Sequence, residues 1–305
     1  MCCLFGFVDY TGALSVNQKN RLIRKLSIAA EARGTDATGI AYNSSRGLQI
    51  YKRPLAAHRL HLKIPAEAHV VMGHTRMTTQ GSAKKNYNNH PFFGRVKGKT
   101  FALAHNGVIW NDLELRRTKH LPRTKVQTDS YIAVQLIEQQ KVLNLSSLKC
   151  MAEQVEGSFS FSVLSEQDDL WLVKGDNPLT IIHFPAVGVY VYASTAEILN
   201  KALARCGNWL GRGEKVDIAM GDIVKIDSKG RITRGTFDAS KFYRSSWGYW
   251  DTPLYPRLPH SEEEHLALLK SVAKAFDFTG EMVDRLLDQG FTIDDVEDLL
   301  YEGVY

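Results

Sequence analysis

The sequence predicts an α+β fold built on two sheets, and three features of the pattern say so. Short β-periodic runs dominate residues 2–105, a helical pair follows between 128 and 154, and β-runs return from 158 to 236. Strands, paired helices and strands again fit two sheets sandwiched between helical layers, and they fit equally well helices gathered on one face. With 305 residues, 44% of them hydrophobic, the chain can bury the core of one large domain or two modest ones.

The elements follow in order. Residues 2–9 read as a strand running into the Asp9-Tyr10-Thr11-Gly12 turn. Ser15 is placed to cap a helix through about Ala32, because Leu22, Ile23, Leu26, Ala29 and Ala30 recur at helical spacing. Strands are expected at 38–42, 48–52, 69–74 and 101–105. Thr128 or Asp129 starts a helix to Gln140, and Ser146 or Ser147 a second to Gln154. Four strands follow at 158–164, 170–173, 180–184 and 189–193, then a helix capped by Ser194 or Thr195. A hairpin of 222–227 and 231–236 closes the body around Ser228-Lys229-Gly230. Residues 241–260 change character: they are rich in aromatics and proline and read as a strap lying on the body. Residues 261–305 read as three short amphipathic helices capped by Ser261, Thr279 and Thr292. The domain boundaries expected are thus 2–240, 241–260 and 261–305.

Charge divides the chain as sharply. Residues 261–305 hold 12 Asp/Glu and 3 Lys/Arg, a net −9, whereas the rest hold 35 Lys/Arg and 21 Asp/Glu, a net +14. Such asymmetry suits a basic face for an anionic partner or a tail docked on its own body. No apolar run approaches the roughly 18–20 residues of a membrane span, and the start lacks the basic and apolar regions of a signal peptide. Cys2, Cys3, Cys150 and Cys206 have neither zinc-type spacing nor disulfide-framework density. A soluble, reduced, cytoplasmic protein without metal or cofactor is the expectation.

The chemistry concentrates in the first 130 residues. Loss of Met1 would give Cys2 both a thiol and an α-amine, whose pKa of roughly 7.7–8.0 suits a general base. Further blocks are Arg33-Gly34-Thr35-Asp36, Gly73-His74-Thr75-Arg76, Thr79-Gln80-Gly81, Asn89-His90-Pro91, His105-Asn106-Gly107 and Thr128-Asp129-Ser130. Arginine grips a carboxylate bidentately, aspartate holds an ammonium, and an Asn side chain with the next N–H can form an oxyanion hole. Together these groups describe an α-amino-acid pocket beside a nucleophilic thiol. His74, His90 and His105 fit no standard metal-ligand spacing.

At these residues the sequence resembles the class II glutamine amidotransferases, the N-terminal-nucleophile domains found in glucosamine-phosphate synthase and phosphoribosylpyrophosphate amidotransferase. The resemblance continues through Glu156-Gly157-Ser158 and Gly221-Asp222-Ile223-Val224, to about residue 236. It implies a four-layer αββα sandwich. It further implies Cys2 as nucleophile, Arg33 positioning the N-terminal residue, Arg76 on the glutamine α-carboxylate and Asp129 on its α-amine. Asn106 and Gly107 would bind the oxyanion, while Thr79 and His90 line or support the pocket. Departures from the family pattern are Cys3 for glycine, Met77 for an aromatic, Gln80 for histidine and Tyr131 for an acidic residue.

The resemblance implies a glutaminase passing ammonia to an acceptor on a separate synthase polypeptide, since about 65 residues after the body are too few for a synthase domain. A hydrolase or transferase of another γ-glutamyl compound and a catalytically silent amino-acid-binding module are the alternatives. Residues 283–300 are also similar to the helix–Gly-Phe–helix core of ubiquitin-associated-type bundles.

Overall fold

A computed structural model of the chain describes residues 2–242 and 279–289, together with residues 266, 270, 291 and 296. The chain divides into two compact units, residues 1–244 and 245–305.

The first unit holds two antiparallel sheets. One has seven strands: β1 (Cys3–Asp9), β2 (Ala37–Ser44), β3 (Gly47–Arg53), β4 (Val70–Arg76), β9 (Thr180–Phe184), β10 (Val189–Ala193) and β11 (Glu214–Val216), in the order β11-β9-β10-β1-β4-β2-β3. The other has six: β5 (Phe92–Val96), β6 (Lys99–Ile109), β7 (Gly157–Ser165), β8 (Leu170–Lys174), β12 (Asp222–Ile226) and β13 (Ile232–Thr236), in the order β13-β12-β8-β7-β6-β5. Helices α1 (Val16–Ala29) and α5 (Ala196–Leu203) pack on the first sheet, whereas α3 (Tyr131–Gln140) and α4 (Leu145–Gln154) pack on the second.

Strand alternation builds this layering. Along β1, Cys3, Phe5 and Phe7 enter the core beneath α1 and α5, while Leu4 and Val8 enter the core between the sheets. Along β6, Phe101 and Leu103 face α3 and α4, while Ala102 and Ala104 face the first sheet. Both faces of each central strand are therefore buried, and helices cover both outer faces. That settles the alternative left open by the residue pattern in favour of four layers.

Local signals act where the pattern puts them. Ser15 caps α1 in a capping box with Gln18, and Thr195 caps α5. The cap of α4 is Asn144, paired with Ser147, so the helix begins earlier than Ser146 or Ser147 suggests. Helix α3 begins at Tyr131, leaving Thr128 and Asp129 outside it. Strands β5 and β11 and helix α2 (Asp112–Thr118) are additions to the sequence reading.

In the second unit, α6 (Gly280–Asp288) is capped by Thr279 as expected, and Val283 and Val296 form a small core with Leu266, Leu286 and Leu287. The expected strap, and the helices capped by Ser261 and Thr292, lie outside the described residues.

Candidate active site

β1 lies at the middle of its sheet, between β10 and β4, and this fixes the start of the chain. A side chain at Gly6 would bring a Cβ within 2.2 Å of the Val71 carbonyl oxygen, so the strand closes this tightly only on glycine. Cys2 precedes the strand. Arg33 Nε donates to the Cys2 carbonyl oxygen at 2.9 Å, and the Cys2 thiol donates to the Met77 carbonyl oxygen at 3.5 Å. Burial pushes the Cys2 thiol pKa upward, opposed by the Met77 hydrogen bond and the Arg76 charge. Its neighbour points the other way: Cys3 is fully buried beneath the helices, and burial lifts its thiol to about 11.

Arg76 ends β4 and is buried. Its guanidinium donates to Asn89 Oδ1 at 2.7 Å and to the carbonyl oxygens of Gln80 at 2.5 Å and Gly81 at 3.0 Å. The following segment is tied down from beneath: Asp36 accepts from the Thr78 N–H at 2.7 Å, and the Asp36 N–H donates to the Arg76 carbonyl oxygen at 3.0 Å. Gln80 then joins this segment to the next motif, its Oε1 accepting from the Asp129 N–H at 2.8 Å. Asp129 itself accepts from the Ile109 N–H at 2.6 Å and from the Ser130 hydroxyl at 3.2 Å.

The Asn106–Gly107 peptide owes its direction to sheet register. Gly107 lies opposite Phe159 in the β6–β7 pair. The Phe159 N–H donates to Asp176 Oδ1 at 2.8 Å and its carbonyl accepts from the Asn177 N–H at 3.4 Å, so both groups turn away from β6. Gly107 is then a non-hydrogen-bonded position, and its N–H points away from β7. The Asn106 carbonyl of the same planar trans peptide points oppositely and accepts from Asn177 Nδ2 at 3.0 Å. On the other side, Asn106 Nδ2 donates to Ser194 Oγ at 3.4 Å, and that oxygen also accepts the Leu4 N–H at 2.9 Å. Gly107 has φ 143°, and a Cβ there would sit 1.9 Å from the Ser158 carbonyl oxygen.

These elements meet at one cleft. Cys2, Arg76, Thr79, His90, Gly107 and Asp129 line it, alongside Gln80, His105, Thr128 and Ser130. Arg33 and Asn106 do not line it: Arg33 is bonded to the lining residue Cys2, and Asn106 sits between the lining residues His105 and Gly107 with its own bonds to Asn177 and Ser194. Thr79 is exposed at the rim, whereas His90 is buried between the rings of His74, at 4.1 Å, and Phe92, at 4.3 Å. Burial depresses all three neighbouring imidazoles, His74 to about 3, His90 well below its ordinary value and His105 below its own. Among the described residues, no group of three or more His, Cys, Asp or Glu is arranged to hold a metal ion. No helix among them is long and apolar enough to cross a membrane.

Sequence reasoning did not find Asn177 and gave Ser194 only a capping role. Both act through partners 71 and 88 residues away, and Asn177 lies in a Gly-Asp-Asn-Pro stretch that reads locally as a turn.

Comparison with known proteins bears on the domain and its fold. A glutamine amidotransferase domain family matches residues 74–201. Glutamine–fructose-6-phosphate aminotransferase (isomerizing) of Bacillus anthracis is 32% identical over 190 residues, covering 59% of this chain and 30% of that protein. The Streptococcus pyogenes serotype M1 enzyme of the same name is 32% identical over 191 residues, with the same coverage. The chain thus spans about a third of the length of these curated relatives. Glutamine phosphoribosylpyrophosphate amidotransferase of B. subtilis, solved with ADP and GMP, superposes with TM-score 0.59 at 17% identity, covering 78% of this chain and 49% of that one. An allosteric regulatory enzyme of purine biosynthesis superposes with TM-score 0.62 at 18% identity and the same coverage. At such identities the likeness is one of fold, shared with the amidotransferase structures. Residues 74–201 of this chain match a glutamine amidotransferase domain, and the curated relatives that share this stretch are enzymes.

Proposed function

We propose that the chain hydrolyses the side-chain amide of glutamine through a thioester on Cys2 and delivers ammonia to an acceptor outside residues 1–305. The observation that carries this reading is the convergence of a thiol, a buried arginine, a buried aspartate and a strand N–H free of sheet bonding on one cleft.

With Met1 removed, the α-amine of Cys2 takes the proton of a thiol that burial keeps neutral. The thiolate attacks the amide carbon, and the Gly107 N–H with the Asn106 amide stabilises the oxyanion. The C–N bond breaks, ammonia leaves with the proton, and water cleaves the thioester to glutamate. Arg76 spends three of its five N–H donors on the surrounding loop, leaving two for the substrate α-carboxylate. Asp129 faces the α-ammonium, and Arg33 fixes the Cys2 carbonyl so that the amine stays beside its thiol.

Intact mass should show loss of Met1, and purified protein should release ammonia from glutamine. Cys2→Ala should abolish release, whereas Cys3→Ala should keep it. Glutamine binding without ammonia release would establish a silent module instead. Preferential turnover of another γ-glutamyl compound would redirect the substrate assignment.

A further inference from the structure

Eight buried side-chain polar atoms among the described residues have no hydrogen-bond partner, and four of them belong to three residues of the cleft. They are Nδ1 and Nε2 of His90, Nε2 of His105 and Oγ1 of Thr128. Each residue is at most 3% exposed. Polar groups this deeply buried are ordinarily paired, so a concentration of unpaired ones marks a place where something binds.

The hydrogen-bond network says what kind of atom each offers. His105 Nδ1 lies 2.8 Å from Ser130 Oγ, whose hydroxyl also reaches Asp129 Oδ1 at 3.2 Å, and the tautomer of the neutral ring sets which of its nitrogens donates. Neutral His90 offers one donor and one acceptor, and the Thr128 hydroxyl serves as either. Lys52 and Arg76 place positive charge beside His90, which disfavours a cation there. The cleft has room for about one water-sized molecule.

From this geometry we propose that His90, His105 and Thr128 form a subsite for one small uncharged hydrogen-bonding molecule. Resting on the glutaminase reading, its occupants are the ammonia expelled from the amide and then the water that replaces it. The first step breaks the C–N bond and leaves ammonia complete with its proton. In the second, the water oxygen bonds the acyl carbon, the C–S bond breaks and the proton returns to the thiolate. Imidazoles held neutral by burial do not protonate the departing ammonia, so it keeps the lone pair an acceptor needs.

Two measurements on the full chain test this. In the first, Thr128→Val removes the hydroxyl with little change of shape. Glutamate formation should slow roughly three- to tenfold, the worth of one hydrogen bond. Acyl-enzyme should accumulate on acid quench, while Cys2 labelling by a glutamine-analogue diazoketone keeps its rate. A structural defect would instead slow labelling and hydrolysis together, and that result would overturn the subsite. The second measurement needs no turnover and no variant. Ammonium chloride, with potassium chloride as control, is titrated against the imidazole ¹⁵N signals above and below the pKa of ammonium. Shifts at His90 and His105 should follow neutral ammonia. Their absence would mean that the subsite holds structural water only. Shifts in a protein that releases no ammonia from glutamine would overturn the glutaminase reading and leave the subsite standing.

Discussion

The side chains that build the cleft fall into two sets, a braced wall and an unbraced one, that follow opposite principles. On one, Arg76, Asp36, Gln80, Asn89 and Asp129 satisfy one another through short hydrogen bonds, and Asn177 holds the Asn106 carbonyl from behind. On the other, His90, His105 and Thr128 are as deeply buried as Arg76, Asn89 and Asp129 yet carry unpaired atoms. A braced wall holds its geometry before anything binds, whereas an unbraced wall completes its bonding only with what enters. The contrast separates groups that shape the cleft from groups that await a ligand, and burial alone would not have done so.

The sharpest way to break the braced wall is to remove the group it presents. Asn106→Ala should lower kcat about 10²- to 10³-fold with little change in KM, as expected for loss of one oxyanion donor. A change confined to KM in steady-state kinetics would refute that role.

Acid attacks the unbraced wall. His74 has a pKa near 3 in the fold, and His90 and His105 are shifted the same way, while unfolded histidine titrates near 6.5. Between those values the unfolded chain binds more protons. Stability contributed by these rings is therefore fully present above about pH 6.5 and is lost as pH falls toward 3. The melting temperature should decline through this window, and replacing His74 by an apolar residue should flatten the decline. An unchanged slope would show that carboxylates alone govern acid unfolding.

The smallest expected effect sharpens the comparison most. Asn177 touches the reaction only through the Asn106–Gly107 peptide, so Asn177→Ala should cost about three- to tenfold in kcat at constant KM. The Gly107 amide resonance should move as its carbonyl partner is lost. A fall in kcat without movement of that resonance would mean that Asn177 acts some other way.

The division between walls also marks what a sequence can reveal. Residue types and order carried the thiol, the arginine, the aspartate and the Asn-Gly turn, because each is set by chemistry written in the residue itself. Ser15 and Thr195 were legible as caps because a cap acts within three residues. Asn177 and the bridging role of Ser194 were not, since they depend on strand register and on how the sheets approach. The short edge strand β11 is three residues of Glu-Lys-Val, which present no alternation to read. β5 carries Gly94 and Arg95 between its apolar positions, and the ring of Phe101 occupies the space a side chain at Gly94 would need.

Ser194 Oγ accepts from Leu4, two residues after the thiol, and from Asn106, which flanks the Gly107 N–H; the first lies on one sheet and the second on the other. On the proposed mechanism, nucleophile and oxyanion donors are thus tied to one shared oxygen, as a pin joins two plates.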